Sequence, residues 1–257
     1  AMKTFLIAKG DEPKTIFTAC NRILDTLHIY NTDGLILSPN AMPLPAQSGA
    51  TFYEQFKWKP ALDNTIDFLV NFEKDAEIPT LDKVTNGIQP SSGETLRFKT
   101  LRLYVGSVKD TAFDDPRATI LNKLPLPDPR RVQGKAAVYK PVLFNPADYP
   151  DTMSNICYRP TVIDTESGED MITTEHGEEP IQDRSIVEMR YDPLQEPGWR
   201  WIPIRIRHDK TERLLRGQIA RTLNSEKVAK SVWNSIHDPI TESMIRIGSE
   251  EPTEVEV

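Results

Sequence analysis

The sequence predicts an α+β chain: an amphipathic helix near its start, a run of short strands through its middle and a second amphipathic helix near its end. Three observations carry this. Ile16, Cys20, Ile23, Leu24 and Leu27 recur at helical spacing, giving a helix of about three turns. Ile66, Phe68, Val70 and Phe72 alternate with Asp67, Leu69 and Asn71, the two-residue period of a strand. Val228, Ala229, Val232, Trp233 and Ile236 then share one face of a helix that Pro239 stops.

Between these anchors, Asn31-Thr32-Asp33-Gly34 is turn chemistry, and Leu35-Ile36-Leu37 behind it reads as a short buried strand ended before Pro39. Residues 40–50 carry Pro43, Pro45 and Gly49 and are expected to be loop. A strand follows at residues 52–59. Residues 79–95, with Gly87, Pro90, Ser91, Ser92 and Gly93, look like a linker. Beyond it, strands are expected at residues 96–105, 136–143, 186–191 and 199–207, with the Pro-rich residues 122–134 separating two of them. Short strands with irregular loops suggest a small antiparallel barrel, of which the OB-fold is one architecture.

The 257 residues are 38% hydrophobic and 27% charged, which suits globular units and excludes a disordered or membrane-spanning reading of the whole chain. No apolar run approaches the ~20 residues of a spanning helix, and no leader pattern opens the chain, so a soluble intracellular protein without a membrane partner is expected. Ala1-Met2 suggests an internal start, with native sequence upstream. Cys20 and Cys157 have neither disulfide-framework nor zinc spacing and read as buried small apolar residues. His28, His176, His208 and His237 share no metal spacing with them. The formal charge of −7 hides an asymmetry. Residues 161–183 hold eight acids and residues 248–257 four more, without Lys or Arg; the remainder has 31 bases against 26 acids, net +5, and could face an anion.

Three clusters could carry chemistry. In Lys57-Trp58-Lys59-Pro60, a strand would project Lys57 and Lys59 to one side and Phe56 and Trp58 to the other, a site for a dianion or equally two solvated lysines. In residues 201–210, Ile202, Ile204 and Ile206 would form one strand face and Arg205, Arg207 and Asp209 the other, with Lys210 at the end. Guanidinium forks two residues apart can grip phosphate oxygens, with Asp209 orienting one; a surface salt-bridge cluster has the same pattern. In Thr32-Asp33-Gly34-Leu35-Ile36, one carboxylate at a turn could help hold a divalent ion, or the turn could be plain.

In this order and spacing, Asp33-Gly34-Leu35-Ile36, Lys57-Trp58-Lys59-Pro60 and Arg207-His208-Asp209-Lys210 resemble the motifs of covalent nucleotidyltransferases, the superfamily of polynucleotide ligases and mRNA capping guanylyltransferases. Asn64-Thr65-Ile66-Asp67-Phe68 after the lysine motif, and Trp201 to Lys210 followed by Thr211, resemble the capping branch. Ser231 to Thr241 resembles the segment that joins guanylyltransferase to methyltransferase in capping enzymes of large DNA viruses.

The resemblance implies the C-terminal part of a nucleotidyltransferase core at residues 1–80, an OB-fold lid with linker at 81–215, and a helical tail at 216–257 leading toward a methyltransferase. It implies transfer of GMP from GTP, with Mg²⁺ or Mn²⁺, through a lysyl-GMP intermediate to the diphosphate 5′ end of RNA. Lys57 and Lys59 would contact the α-phosphate, and Asp33 would sit near the metal. Arg205, Arg207, Asp209 and Lys210 would close over the β- and γ-phosphates. Triphosphatase and methyltransferase domains could share the polypeptide. The expected location is cytoplasmic or, if the protein is viral, the host cytoplasm or virion. The nucleophilic Lys-x-Asp-Gly motif is missing from this sequence, and Lys9-Gly10-Asp11 does not replace it, so this chain alone is expected to form no GMP adduct. An OB-like module binding RNA or protein without chemistry, and a ligase of the same superfamily, are the alternatives.

Overall fold

Strand β5 (Thr95–Lys109) is the spine of the larger of two units, residues Thr65–Asn234, in the computed structural model. The structure describes residues 6–7, 14–29, 32–39, 55–89, 93–109, 138–175, 177, 179–218 and 222–247. The expected loops at 40–50 and 122–134, Lys9-Gly10-Asp11, His176 and the acidic tail lie outside these.

One edge of β5 pairs with β3 (Thr65–Phe72) and β4 (Val84–Ile88); the other pairs with β6 (Val138–Leu143) and β7 (Ile156–Pro160). β10 (Ile186–Tyr191) pairs with β3, and β11 (Trp201–Ile206) with β10, so the path runs β11-β10-β3-β5-β4, all antiparallel. The sheet curls on itself. The Tyr158 amide of β7 donates to Gly198 O at 2.7 Å, and Cys157 Sγ lies 3.1 Å from Trp201 O. The observed α+β, mostly antiparallel arrangement is compatible with an OB-like barrel.

The inside of the curl is aromatic. Phe68, Phe144, Trp201 and Trp233 are almost fully buried, with Tyr191 beside them. Trp201 meets Phe68 and Tyr191 edge-on, with centroids 4.8 and 4.9 Å apart, and the Trp201 and Trp233 indoles donate to Ser154 O and Asp148 O. β3 is buried on both faces: Ile66, Phe68 and Val70 point one way, while Leu69 packs with Ile186, Leu214 and Leu223 on the other. Leu214 comes from helix α2 (His208–Leu215).

Several expectations change here. Residues 79–95 are not a plain linker, because Val84 to Ile88 pair with Lys99 to Thr95 as one arm of a hairpin. The acidic residues 161–183 contain a further small hairpin, β8 (Val162–Ile163) with β9 (Asp170–Met171). Arg205 and Arg207 do not share a strand face: β11 ends at Ile206, Arg207 caps α2, and Asp209 and Lys210 lie in its first turn. Nor do Ile202, Ile204 and Ile206 form the buried face. A register shift at Glu188/Met189 skips Ile204 and turns Trp201 and Pro203 inward instead. Helix α3 (Glu226–His237) is more than a tail, since Ala229 and Trp233 are fully buried.

The second unit comprises Ala1–Asn64 and Ser235–Val257. Its described elements are α1 (Lys14–Leu24), β1 (Leu35–Leu37), β2 (Phe56–Trp58), a 3-10 turn (Ala61–Asp63) and α4 (Glu242–Ile247). The units divide at Asn64/Thr65 and Asn234/Ser235, whereas the sequence suggested 80/81 and 215/216, because β3 is hydrogen-bonded on both edges inside the larger sheet.

Candidate functional site

The Asp-Gly and Lys-x-Lys motifs meet in one hairpin. Leu35, Ile36 and Leu37 of β1 pair with Trp58, Lys57 and Phe56 of β2. Gly34 makes the approach feasible. Its φ is +129°, a region that favours glycine, and a Cβ there would stand 2.0 Å from Trp58 O. The close passage brings Asp33 Oδ2 to 2.8 Å from Lys59 Nζ. The hydrogen bond and charge of Lys59 hold the Asp33 carboxyl below its ordinary range, although the Asp33 side chain is 82% exposed.

Trp58 anchors the hairpin. It packs with Cys20 and Leu35, with Ile23, Leu24, Leu37 and Ile245 around them, and its indole donates to Ile240 O at 2.6 Å. The expected pairing of Phe56 with Trp58 on a buried side holds only for Trp58, since Phe56 is 68% exposed at the end of a three-residue strand. Ile36 is also exposed, so β1 is only partly buried. Helix α4 closes on α1 through Arg246, which bonds Asp25 at 2.7 Å, and through Asn21 Nδ2, which donates to Arg246 O. A cavity of about 430 Å³ within this unit is lined by Phe17, Leu37, Lys57, Trp58, Lys59 and Ile240 among others. That volume suits a small-molecule ligand, and the lining combines apolar side chains with two lysines.

Asp33 brings a single carboxylate, already engaged by an ammonium. Among the described residues, no three His, Cys, Asp or Glu side chains converge as a metal site. The described residues therefore do not by themselves form a Mg²⁺ or Mn²⁺ centre.

The remaining motif lies in the larger unit and forms a compact charge cluster. Asp67 of β3 stands opposite Glu188 of β10, and Glu188 stands opposite Arg205 of β11. Arg207 Nη1 and Lys210 Nζ both reach Asp67 Oδ2, at 2.7 and 2.6 Å, and Lys210 also lies 3.3 Å from Asn224 Oδ1. Arg205 Nε donates to Glu188 Oε2 at 2.7 Å, and Thr65 Oγ1 to Glu188 Oε1. Asp209 Oδ1 lies 3.5 Å from Arg207 Nε. Burial opposes ionisation of Glu188, but the hydrogen bonds from Thr65 and Arg205 and the charges of Arg205 and Arg207 outweigh it and hold its carboxyl low. His208 pairs with Glu179 at 3.2 Å, away from this cluster's carboxylates. The partners Asp67 and Glu188 were not singled out by sequence reading, although Asp67 lies within the quoted Asn64 to Phe68 motif.

No protein-family model matches the chain. It is 28% identical over 256 residues to a probable mRNA-capping enzyme of Acanthamoeba polyphaga mimivirus, covering 95% of this chain and 18% of that protein. It is 26% identical over 249 residues to the mRNA-capping enzyme of African swine fever virus (isolates Tick/South Africa/Pretoriuskop and Warthog/Namibia), covering 93% of this chain and 24% of those proteins. The chain thus spans about a fifth to a quarter of the length of these relatives. The resemblance to capping enzymes of large DNA viruses, read from ordered motifs, extends over nearly the whole chain.

Proposed function

We propose that the chain is part of an mRNA capping enzyme and supplies the Lys-x-Lys and lid portions of its guanylyltransferase. The observation that carries this is the hairpin in which Asp33-Gly34 and Lys57-Trp58-Lys59 become neighbours, with Lys59 on Asp33 at 2.8 Å beside an apolar cavity. The similarity to viral capping enzymes supports the same reading.

On this reading GTP is the substrate and the RNA 5′ end the acceptor. Lys57 and Lys59 place ammonium groups at the α-phosphate, where charge develops as the P–O bond to pyrophosphate breaks. Phe17, Leu37 and Trp58 give the nucleoside an apolar wall. Arg205, Arg207 and Lys210 are the cations for the β- and γ-phosphates, with Asp209 orienting Arg207. A divalent ion would reduce phosphate charge, and Asp33, whose Oδ2 is engaged by Lys59, would be its one nearby carboxylate. The larger unit acts as an OB-like lid, and the nucleophilic lysine comes from sequence outside this chain.

Incubation with GTP labelled at the α-phosphate, Mg²⁺ or Mn²⁺, and denaturing gels tests this. A polypeptide extended upstream to a Lys-x-Asp-Gly motif should retain label, and this chain alone should not. An extended polypeptide that takes no label from GTP would sink the reading, and label from ATP instead would favour a ligase.

A further inference from the structure

Three cations and three carboxylates make up the cluster at the β11–α2 junction: Arg205, Arg207 and Lys210 against Asp67, Glu188 and Asp209. Asp67 and Glu188 are direct cross-strand neighbours. Like charges in that position repel, and the cations folded over them offset the repulsion. The side chain of Asp67 is 8% exposed, yet one oxygen accepts hydrogen bonds from both Arg207 and Lys210. Of the three cations assigned above to the terminal phosphates, Arg207 and Lys210 are therefore already bound to the Asp67 carboxylate and Arg205 to Glu188, and the cluster is neutral.

We propose that Asp67 is the internal competitor of polyphosphate for Arg207 and Lys210, and so sets how tightly this part of the chain holds a triphosphate. A polyphosphate engages these cations by replacing their bonds to Asp67, and each such exchange works against a buried anion left behind. Asp67 is a positioning residue: it acts on phosphate through Arg207 and Lys210. The inference rests on the reading of these two cations as phosphate ligands.

Inorganic tripolyphosphate binding to this chain, followed by calorimetry at fixed ionic strength, is the test. Asp67→Asn keeps an acceptor oxygen and removes the charge. It should bind tripolyphosphate about tenfold more tightly than the unmodified chain, toward the lower end of what one unit charge a few ångströms away contributes. Adding Arg207→Gln and Lys210→Gln should abolish the gain. Glu188→Gln, which removes a carboxylate 3.9 Å from Arg207, should give a smaller gain of about threefold. A purely structural Asp67 predicts lower stability without tighter binding. Unchanged or weaker binding in folded Asp67→Asn overturns the proposal, as does absence of binding in every protein. If Asp67→Asn does not fold, Glu188→Gln decides by the same criterion. Failure of GMP transfer in the longer polypeptide would leave these affinities standing, so the two readings fail separately.

Discussion

Asp67 and Glu188 face each other across the β3–β10 ladder, two carboxylates in register at the centre of the larger sheet, held there by Arg205, Arg207 and Lys210. The basic motif at the end of β11 therefore has a structural task whatever ligand it meets. That coupling shapes the acid stability of the fold.

Glu188 is held below its ordinary pKa in the folded state, so it binds protons more readily when unfolded. Its contribution is present above the unfolded value of about 4.3 and is lost as pH falls through the lowered folded value. Glu188→Gln should be less stable than the unmodified chain at pH 7, with the gap narrowing below about pH 4.5. Urea unfolding at pH 7 and pH 3.5 reads this; a gap that widens with acid would contradict it.

Gly34→Ala should disrupt the β1–β2 hairpin. The left-handed φ and the 2.0 Å approach to Trp58 O allow no Cβ without backbone movement. A loss of about 2–4 kcal/mol is expected. Chemical denaturation followed by Trp fluorescence measures it, and a loss below about 0.5 kcal/mol would show that the close passage does not exist.

Trp233→Ala should cost about 3–5 kcal/mol, because the ring is fully buried against Phe144, Tyr191 and Trp201. A near-neutral result would contradict the packing of α3 into the aromatic core.

Cys157 is fully buried, and burial pushes its thiol up to about 12, so it should not react with an aromatic disulfide reagent at pH 8 until the larger unit unfolds. Rapid native reaction of Cys157, mapped by peptide mass, would contradict the packing around Trp201.

Much of this was legible in the sequence where a short-range period dominates. The alternation in residues 66–72 gave β3, and helical spacing gave the buried Trp233 of α3 and α1, although α1 stops at Leu24 and leaves the expected Leu27 exposed. Ordered motifs pointed to Asp33, Lys57 and Lys59 before any contact between them was visible. What the sequence concealed depends on long-range pairing. β4 sits among Gly and Pro residues that locally argue for loop, and only β5 makes it a strand. The register shift opposite Ile204 reverses which side of β11 is buried, and no local pattern announces it. Asp67 looked like the polar side of an amphipathic strand. Its contacts with Arg207 and Lys210 span 140 and 143 residues of sequence, beyond any local pattern.

The most direct test of the central claim is guanylylation by the upstream-extended polypeptide carrying Lys57→Ala or Lys59→Ala, with thermal stability measured alongside. The account predicts at least about a hundredfold loss of label from α-labelled GTP for each variant, as expected when a charge-stabilising donor is removed. It also predicts a stability change within about 1 kcal/mol for Lys59→Ala, because the Lys59–Asp33 pair is exposed. Label retained at near-unmodified rates in both variants would contradict the assignment of this hairpin to the α-phosphate.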